Sequence, residues 1–133
     1  MKTKSRRHVF MFQPRFAPGV LDGSKPTTIR PERKRKVRVG DILDLRQWSG
    51  RPYASKQIKL REVECVAVEI ILITRTHAST CHERFGGITL YTNQWLDKLA
   101  RADGFKNFAD MRAWFEQTHG LPFIGTLYRW RAK

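Results

Sequence analysis

Residues 21–30 read LDGSKPTTIR, and this stretch predicts both a turn and the strand that follows it. Gly23 permits the backbone conformations of a tight turn. The Thr-Thr-Ile segment at 27–29 is β-branched, which favours an extended conformation. Pro31 then removes a backbone donor, so the strand is expected to end at Arg30.

Short apolar and β-branched runs elsewhere predict further strands, at 8–12, 42–48, 60–74, 88–91 and 123–130. The run at 60–74 is long, so we expect a strand that either curves through a barrel or is broken by a bulge. The other residues of 75–93 are predicted to be irregular.

From position 94 the apolar period becomes helical, which predicts helices over 94–102 and 107–118. Asn107 is expected to cap the second helix. Many short strands followed by two late helices predict an α+β fold, with a small curved barrel of about five or six strands and the helices packed at one side.

A chain of 133 residues is long enough for one domain, which we place at 8–133 after a basic flexible tail at 1–7. No run approaches the ~20 apolar residues of a membrane span, and the basic start lacks the apolar segment of a secretory signal. We therefore expect a cytoplasmic protein without a membrane partner. Cys65 and Cys81 are expected to be free thiols.

Positive charge is concentrated near the start of the chain. The formal net charge is +14, and residues 1–40 contribute +10 of it, because they hold twelve Lys or Arg against two acids. Such a field attracts polyanions, which makes RNA bound through this basic first third a predicted partner. The alternative is that the charge serves solubility.

Neither a metal nor a cofactor is predicted. His77, Cys81, His82 and the more distant Cys65 do not have the spacing of a structural zinc site. Trp48 and Tyr53 are aromatic residues that can stack on a nucleobase, in a contact worth ~1–3 kcal/mol. Each of them can equally anchor the core or a loop.

Lys25 and Thr28 are candidate catalytic residues. In a strictly alternating strand they would face opposite sides, but the turn before the strand lets the lysine fold back over the face of Thr28. A threonine hydroxyl needs a base before it attacks. A lysine becomes that base when burial or like charge destabilises its ammonium, and Arg30 and the 33–36 run supply like charge. The alternative is a lysine and a threonine without a catalytic role.

The pattern Gly23-x-Lys25-x-x-Thr28-x-Arg30, followed by Gly40-Asp41 and an apolar strand, resembles the ASCH family of small PUA-like barrels. The family signature is Gly-x-Lys-x-x-Glu-x-Arg, so Thr28 departs from it. The branch that this sequence resembles best is that of the small bacterial N(4)-acetylcytidine amidohydrolases, which share Phe12, Arg15-Phe16 and a similar strand. Pro26 replaces a threonine of that strand. The resemblance covers nearly the whole chain.

The resemblance implies a PUA-like barrel and an enzyme that removes the acetyl group from a modified cytosine nucleoside or nucleotide. In that branch a lysine, a threonine and a glutamate form the proposed catalytic trio. Lys25 and Thr28 match the first two, and Asp103 lies where the glutamate falls. Aspartate is shorter than glutamate by one carbon–carbon bond, ~1.5 Å.

Four residues are expected to bind the substrate, namely Arg15, Arg30, Trp48 and Tyr53. A free nucleoside carries no phosphate, so its hydrolysis gives no reason for the charge of +14. Two other functions therefore stay open, an RNA-binding PUA-like module without catalysis and an ASCH-type ribonuclease.

Overall fold

The computed structural model describes residues 5–82 and 86–131, which form a mixed α+β fold. Its elements, in chain order, are β1 (Arg7–Phe12), α1 (Ala17–Asp22), β2 (Thr27–Arg30), β3 (Ile42–Trp48), β4 (Gln57–Glu64), β5 (Ala67–Ile73), β6 (Ala78–His82), β7 (Ile88–Tyr91), α2 (Gln94–Ala102), α3 (Phe108–Thr118) and β8 (Phe123–Arg129). The predicted α+β class is confirmed. Within the described ranges, no helix is long and apolar enough to span a membrane.

The described strands form two sheets. The first has the order β1-β3-β4, with β1 parallel to β3 and β3 antiparallel to β4. The second has the order β2-β8-β5-β6-β7, and its neighbouring strands are antiparallel. Where the sequence predicted one curved barrel of five or six strands, the described residues form eight strands and neither sheet closes on itself.

The apolar run at 60–74 contributes to both sheets. The Cys65 N–H donates to the Asp41 carbonyl beside the first sheet (2.8 Å), and the Val66 N–H donates to the Arg129 carbonyl of the second (2.8 Å). Because neighbouring amides bond to different sheets, the run is divided into β4 and β5. The expected break is therefore a change of sheet.

Two expectations about strands need correction. β6 lies within the segment predicted to be irregular, and its sequence, ASTCH, has no run of large apolar residues. It is a strand because it pairs with β5 on one side and β7 on the other. β1 begins at Arg7, inside the segment predicted to be a flexible tail, and residues 1–4 lie outside the described residues.

The two late helices are close to their predicted positions. The Asn107 side chain accepts a hydrogen bond from the Asp110 N–H (2.9 Å), which confirms the predicted cap of α3. Phe108, Met111 and Phe115 of this helix are buried in the core. On α2 only Leu99 and Ala100 are buried, and Trp95 is more than half exposed.

The backbone carbonyl of Arg30, in the edge strand β2, lies very close to Gly125 of β8. A Cβ atom added at Gly125 would lie 2.5 Å from that carbonyl oxygen and 2.5 Å from the Phe123 ring. We expect Gly125→Ala to lower the free energy of unfolding by about 1–3 kcal/mol, as overpacking does. Gly87→Ala is the control, because a Cβ there meets nothing within 4 Å. Chemical denaturation of both variants measures the difference, and equal stability would contradict the close approach.

Asp41 holds three donors beside the first sheet. Its carboxylate accepts from the backbone N–H of Arg6 (3.1 Å) and of Arg38 (3.0 Å), and it lies 2.8 Å from His8 Nε2. Burial by itself would raise the pKa of Asp41, but these hydrogen bonds outweigh it and the pKa is lowered. A lowered folded-state pKa stabilises the fold above the unfolded value of ~3.9, and this stabilisation is lost as the pH falls further.

We therefore expect Asp41→Ala to cost about 2–4 kcal/mol of unfolding free energy at neutral pH, since the buried His8 ring and two partly buried backbone N–H groups lose their acceptor. The cost should shrink as the pH falls below ~3.9, where Asp41 is protonated first in the unfolded chain and then, at lower pH, in the folded protein. Urea denaturation across this pH range measures the effect, with the exposed Glu32→Ala as control. A cost that does not change with pH would rule out the charge of Asp41 as its cause.

Candidate active site

The turn after α1 directs Lys25 into the protein. Gly23 ends the helix in the left-handed conformation (φ 87°), and its N–H donates to the Gly19 carbonyl (3.1 Å). The Lys25 N–H donates to the same carbonyl (2.9 Å). The Pro26 carbonyl then accepts from the Trp130 N–H (3.0 Å), which fixes the entry into β2. The position of the lysine therefore follows from the glycine turn that the sequence predicted.

The Lys25 ammonium is almost completely buried, with 3% of the residue exposed. Nζ donates to the Thr27 carbonyl (2.9 Å), the Asp103 carbonyl (2.6 Å) and Asp103 Oδ1 (3.3 Å). It also lies over the rings of Phe12 (5.6 Å) and Phe16 (5.0 Å). Two of the three acceptors are carbonyls, which cannot donate, so the arrangement fits a charged ammonium with all three N–H groups bonded.

Asp103 lies at the C-terminal end of α2, where its N–H donates to the carbonyls of that helix. Its carboxylate accepts from Lys25 and from the Thr27 hydroxyl (2.9 Å). Gly104 follows with φ 94°, and a Cβ at that position would lie 3.0 Å from both Lys25 Cδ and Phe16 Cδ1. The absence of a side chain at Gly104 therefore lets Lys25 and Phe16 pack closely against the end of α2.

The pKa values of the pair shift in opposite directions. Burial lowers the pKa of Lys25, and the Asp103 carboxylate opposes this shift. Burial raises the pKa of Asp103, and the Lys25 ammonium and the Thr27 hydroxyl oppose that shift. A proton therefore moves from Lys25 to Asp103 more readily than it would between the same groups in water.

Thr28 is bonded to a different cation. Its hydroxyl oxygen accepts from Arg30 Nε (3.2 Å), and Arg30 Nη2 donates to the Met11 carbonyl (2.7 Å). The guanidinium lies over the rings of Phe10 (4.9 Å) and Phe12 (4.7 Å). Burial, aided by the charge of Arg33, lowers the pKa of Arg30 to about 10, so it remains a cation at neutral pH.

The two adjacent threonines of β2 face opposite sides of the sheet and have different hydrogen-bond partners. Thr27 pairs with Arg129 and Thr28 with Tyr128, so their side chains lie on opposite faces of the second sheet. The hydroxyl bonded to Asp103 is that of Thr27. The predicted contact between Lys25 and Thr28 does not occur among the described hydrogen bonds, because Lys25 Nζ bonds to the Thr27 carbonyl and to Asp103.

Thr27 is therefore a residue of the site that the sequence reasoning missed. A signal was present, since Lys25 and Thr27 are two positions apart and residues with this spacing share a face in extended chain. The prediction instead relied on the lysine folding across the strand towards Thr28.

A cavity of about 260 Å³ lies beside these residues, and its lining includes Lys25, Thr28, Arg30 and Asp103. Aromatic side chains form much of the wall, among them Phe12, Phe16, Phe105, Trp114 and Phe115. Thr27 is 1% exposed and does not line the cavity. The cavity thus combines an aromatic wall with two cations, a carboxylate and a threonine.

Only Arg30, of the four predicted substrate-binding residues, lines this cavity. Arg15 lies next to it, with its guanidinium 5.0 Å from the Phe105 ring centroid and bonded to Asp110. The ring centroids of Trp48 and Tyr53 lie 5.2 Å apart, and Tyr53 is 92% exposed. Neither residue lines the cavity. Their predicted role in substrate binding has no support from this geometry.

His119 is a cavity residue that the sequence did not indicate. It caps the C-terminal end of α3, and its ring centroid lies 5.8 Å from that of Trp114 and 4.9 Å from that of Phe123. Burial lowers the pKa of His119, which favours the neutral ring. No local pattern could indicate it, because its place depends on how α3 packs beside β2.

Among the described residues, no three His, Cys, Asp or Glu side chains come together as a metal site. Cys65 and Cys81 are not paired, and burial raises the pKa of Cys65 to about 11.

Comparisons with protein families, with curated proteins and with solved structures found no match for this chain.

Proposed function

We propose that this protein is an amidohydrolase that removes the acetyl group from N(4)-acetylcytidine or a related acylated cytosine nucleoside or nucleotide, on an ASCH-type, PUA-like fold. One observation carries the proposal. A buried Lys25–Asp103 pair lines the same cavity as Thr28 and Arg30. Amide hydrolysis through an ester needs a hydroxyl, a base and a cation for the oxyanion, and these groups supply all three.

Thr28 is the better nucleophile of the two threonines. It lines the cavity, whereas Thr27 is enclosed and its hydroxyl already donates to Asp103. Arg30 donates to the Thr28 oxygen, which leaves the threonine proton available to a base and stabilises negative charge on that oxygen. Thr27 then serves as a positioning residue for the carboxylate.

The first step moves two protons. Lys25 transfers one to Asp103, and the neutral amine takes the proton of Thr28 as Oγ1 attacks the acetyl carbonyl carbon. This step requires Nζ to leave the Thr27 carbonyl and approach Thr28. The carbonyl π electrons move to the oxygen, and the Arg30 guanidinium stabilises the resulting oxyanion.

The remaining steps restore the enzyme. The oxyanion collapses, the bond between carbon and N4 breaks, and the Lys25 ammonium protonates the departing cytosine amine. This leaves an acetyl ester on Thr28. Water then attacks the ester while the neutral Lys25 amine takes one of its protons. The intermediate collapses, the Lys25 ammonium gives that proton to Thr28, and the product leaves as acetic acid, which ionises to acetate in water. Asp103 finally returns its proton to Lys25, which restores the ion pair.

The aromatic wall supports a flat substrate. Phe105 and Trp114 are cavity residues, and stacking on such rings is worth ~1–3 kcal/mol per base. Phe105, which precedes α3, and Trp114 of α3 thus contribute both to the core packing and to the proposed cytosine site.

The test is incubation with N(4)-acetylcytidine, followed by chromatography for cytidine. We expect many cytidine molecules to be released per protein molecule, and intact substrate would contradict the proposal. N(6)-Acetyladenosine, which carries the acetyl group on a different base, is the control. Its rate of hydrolysis reports whether the cavity distinguishes the two bases.

RNA binding without catalysis is the second candidate, since residues 1–40 carry a net charge of +10. Steeply salt-dependent RNA binding without acetate release would favour that function. Shortened RNA would favour a ribonuclease.

A further inference from the structure

A second cavity, of about 250 Å³, lies between the loop that follows β2 and the second sheet. It shares no lining residue with the Lys25 cavity. The loop contributes Glu32, Arg33 and Lys36, and strands β5 and β8 contribute Ile70 and Ile124 among others. This cavity is therefore a separate place at which a ligand can bind.

The floor of this second cavity is apolar. Ile70 is 45% exposed and Ile124 is 69% exposed, on strands that pair with each other. Large apolar side chains left open on a sheet face suit the flat face of a ring, whose burial removes apolar surface from water.

The rim of the second cavity carries charges of both signs. The Arg33 guanidinium lies 4.5 Å from the centroid of the buried Phe10 ring, which holds it in place. Lys36 is exposed on the same rim. Two cations within one small cavity suit a phosphate group. The Glu32 carboxylate can accept a hydrogen bond from the exocyclic amine of a base.

We propose that this second cavity binds a phosphorylated nucleotide. Its phosphate bonds to Arg33 and Lys36, its base covers Ile70 and Ile124, and its amino group donates to Glu32. The inference goes beyond the proposed hydrolysis and does not depend on it. In this proposal, part of the excess positive charge binds the phosphate of the nucleotide. The surrounding basic residues increase the association rate of that anion.

The same chemistry is present in a free nucleotide and in a nucleotide of single-stranded RNA. The probe is a short fluorescein-labelled oligoadenylate, whose binding is followed by fluorescence anisotropy over a series of salt concentrations. Displacement of the probe by AMP assigns the site to free nucleotides. Site-specific binding of the probe that AMP does not displace assigns it to RNA.

The chain offers a matched pair of double variants. Arg33→Ala/Lys36→Ala and Lys34→Ala/Arg35→Ala each remove two positive charges from one loop, but Lys34 and Arg35 do not line the cavity. We expect the first pair to weaken binding roughly tenfold or more, as the loss of charge-assisted bonds does. The salt slope should fall by about 0.7, for one phosphate of a single strand. The second pair should change the affinity by less than about threefold.

Ile124→Ser tests the base contact without a change of charge. Because Ile124 is mostly exposed, the variant is expected to fold, and circular dichroism checks this. We expect its affinity for the probe to fall about threefold to tenfold, with the salt slope unchanged. Equal weakening by the two double variants would overturn the proposal in favour of a diffuse basic surface. Unchanged binding by Arg33→Ala/Lys36→Ala would overturn it as well.

Discussion

Thr28→Val is expected to lower kcat/KM for N(4)-acetylcytidine by at least about a thousandfold, because it removes the proposed nucleophile. Valine keeps the shape of the side chain and loses the hydroxyl, which accepts one hydrogen bond from Arg30. The free energy of unfolding should therefore fall by only about 1–2 kcal/mol. Steady-state kinetics and chemical denaturation of the same preparation separate the two effects.

Thr27 supplies the matched control for this prediction. Thr27→Ser keeps the hydroxyl that donates to Asp103, so we expect it to retain most of the activity. Thr27→Val loses that donor and should lose some activity and stability, while its Thr28 nucleophile remains. An active Thr28→Val beside an inactive Thr27→Val would show that the nucleophile is assigned to the wrong threonine.

The buried pair gives the second large effect. Lys25→Met leaves the Asp103 carboxylate buried without its cation, and Asp103→Asn leaves the ammonium without its anion. We expect each single variant to lose about 3–5 kcal/mol of unfolding free energy. The double variant Lys25→Met/Asp103→Asn buries no charge, and methionine suits the space beside Phe12 and Phe16. It should recover much of the loss in stability.

The two single variants should respond to pH in opposite ways. In Lys25→Met, burial raises the folded-state pKa of Asp103 above its unfolded value, so stability should fall as the pH rises through that folded pKa. In Asp103→Asn, burial lowers the folded-state pKa of Lys25 below its unfolded value, so stability should increase with pH. Denaturation across the pH range measures both trends.

Activity separates a catalytic pair from a structural one. All three variants should be inactive, and the losses should not add, because the two residues act on one proton. A stable double variant that hydrolyses acetylcytidine would remove Lys25 from the mechanism. Losses of stability that simply add would show that the two charges do not interact.

Local pattern predicted much of the fold. The β-branched residues of β2, the helical period after residue 94 and the Asn107 cap are short-range signals, and the structure has these elements close to their predicted bounds. β6 was missed because a polar strand is defined by its neighbours. The change of sheet at Cys65 and Val66 likewise depends on partners far along the chain.

The site was less predictable than the fold. Lys25 and Asp103 are 78 positions apart, and only the resemblance suggested that they belong together. The strand period placed Thr27 and Thr28 on opposite faces, yet it could not show which face held the carboxylate. Trp48 and Tyr53 were chosen because aromatic rings can stack on a base. The residue type alone does not show how far the ring lies from the cavity in the folded protein.

Mass spectrometry of the protein, quenched in acid during turnover of N(4)-acetylcytidine, tests the central claim most directly. Fragmentation assigns any added group to one residue. We predict a single acetyl group on Thr28, present in the wild-type protein and missing in Thr28→Val and Lys25→Met. An acetyl group on another residue, or cytidine release with no acetylated protein at any quench time, would contradict a mechanism that passes through Thr28.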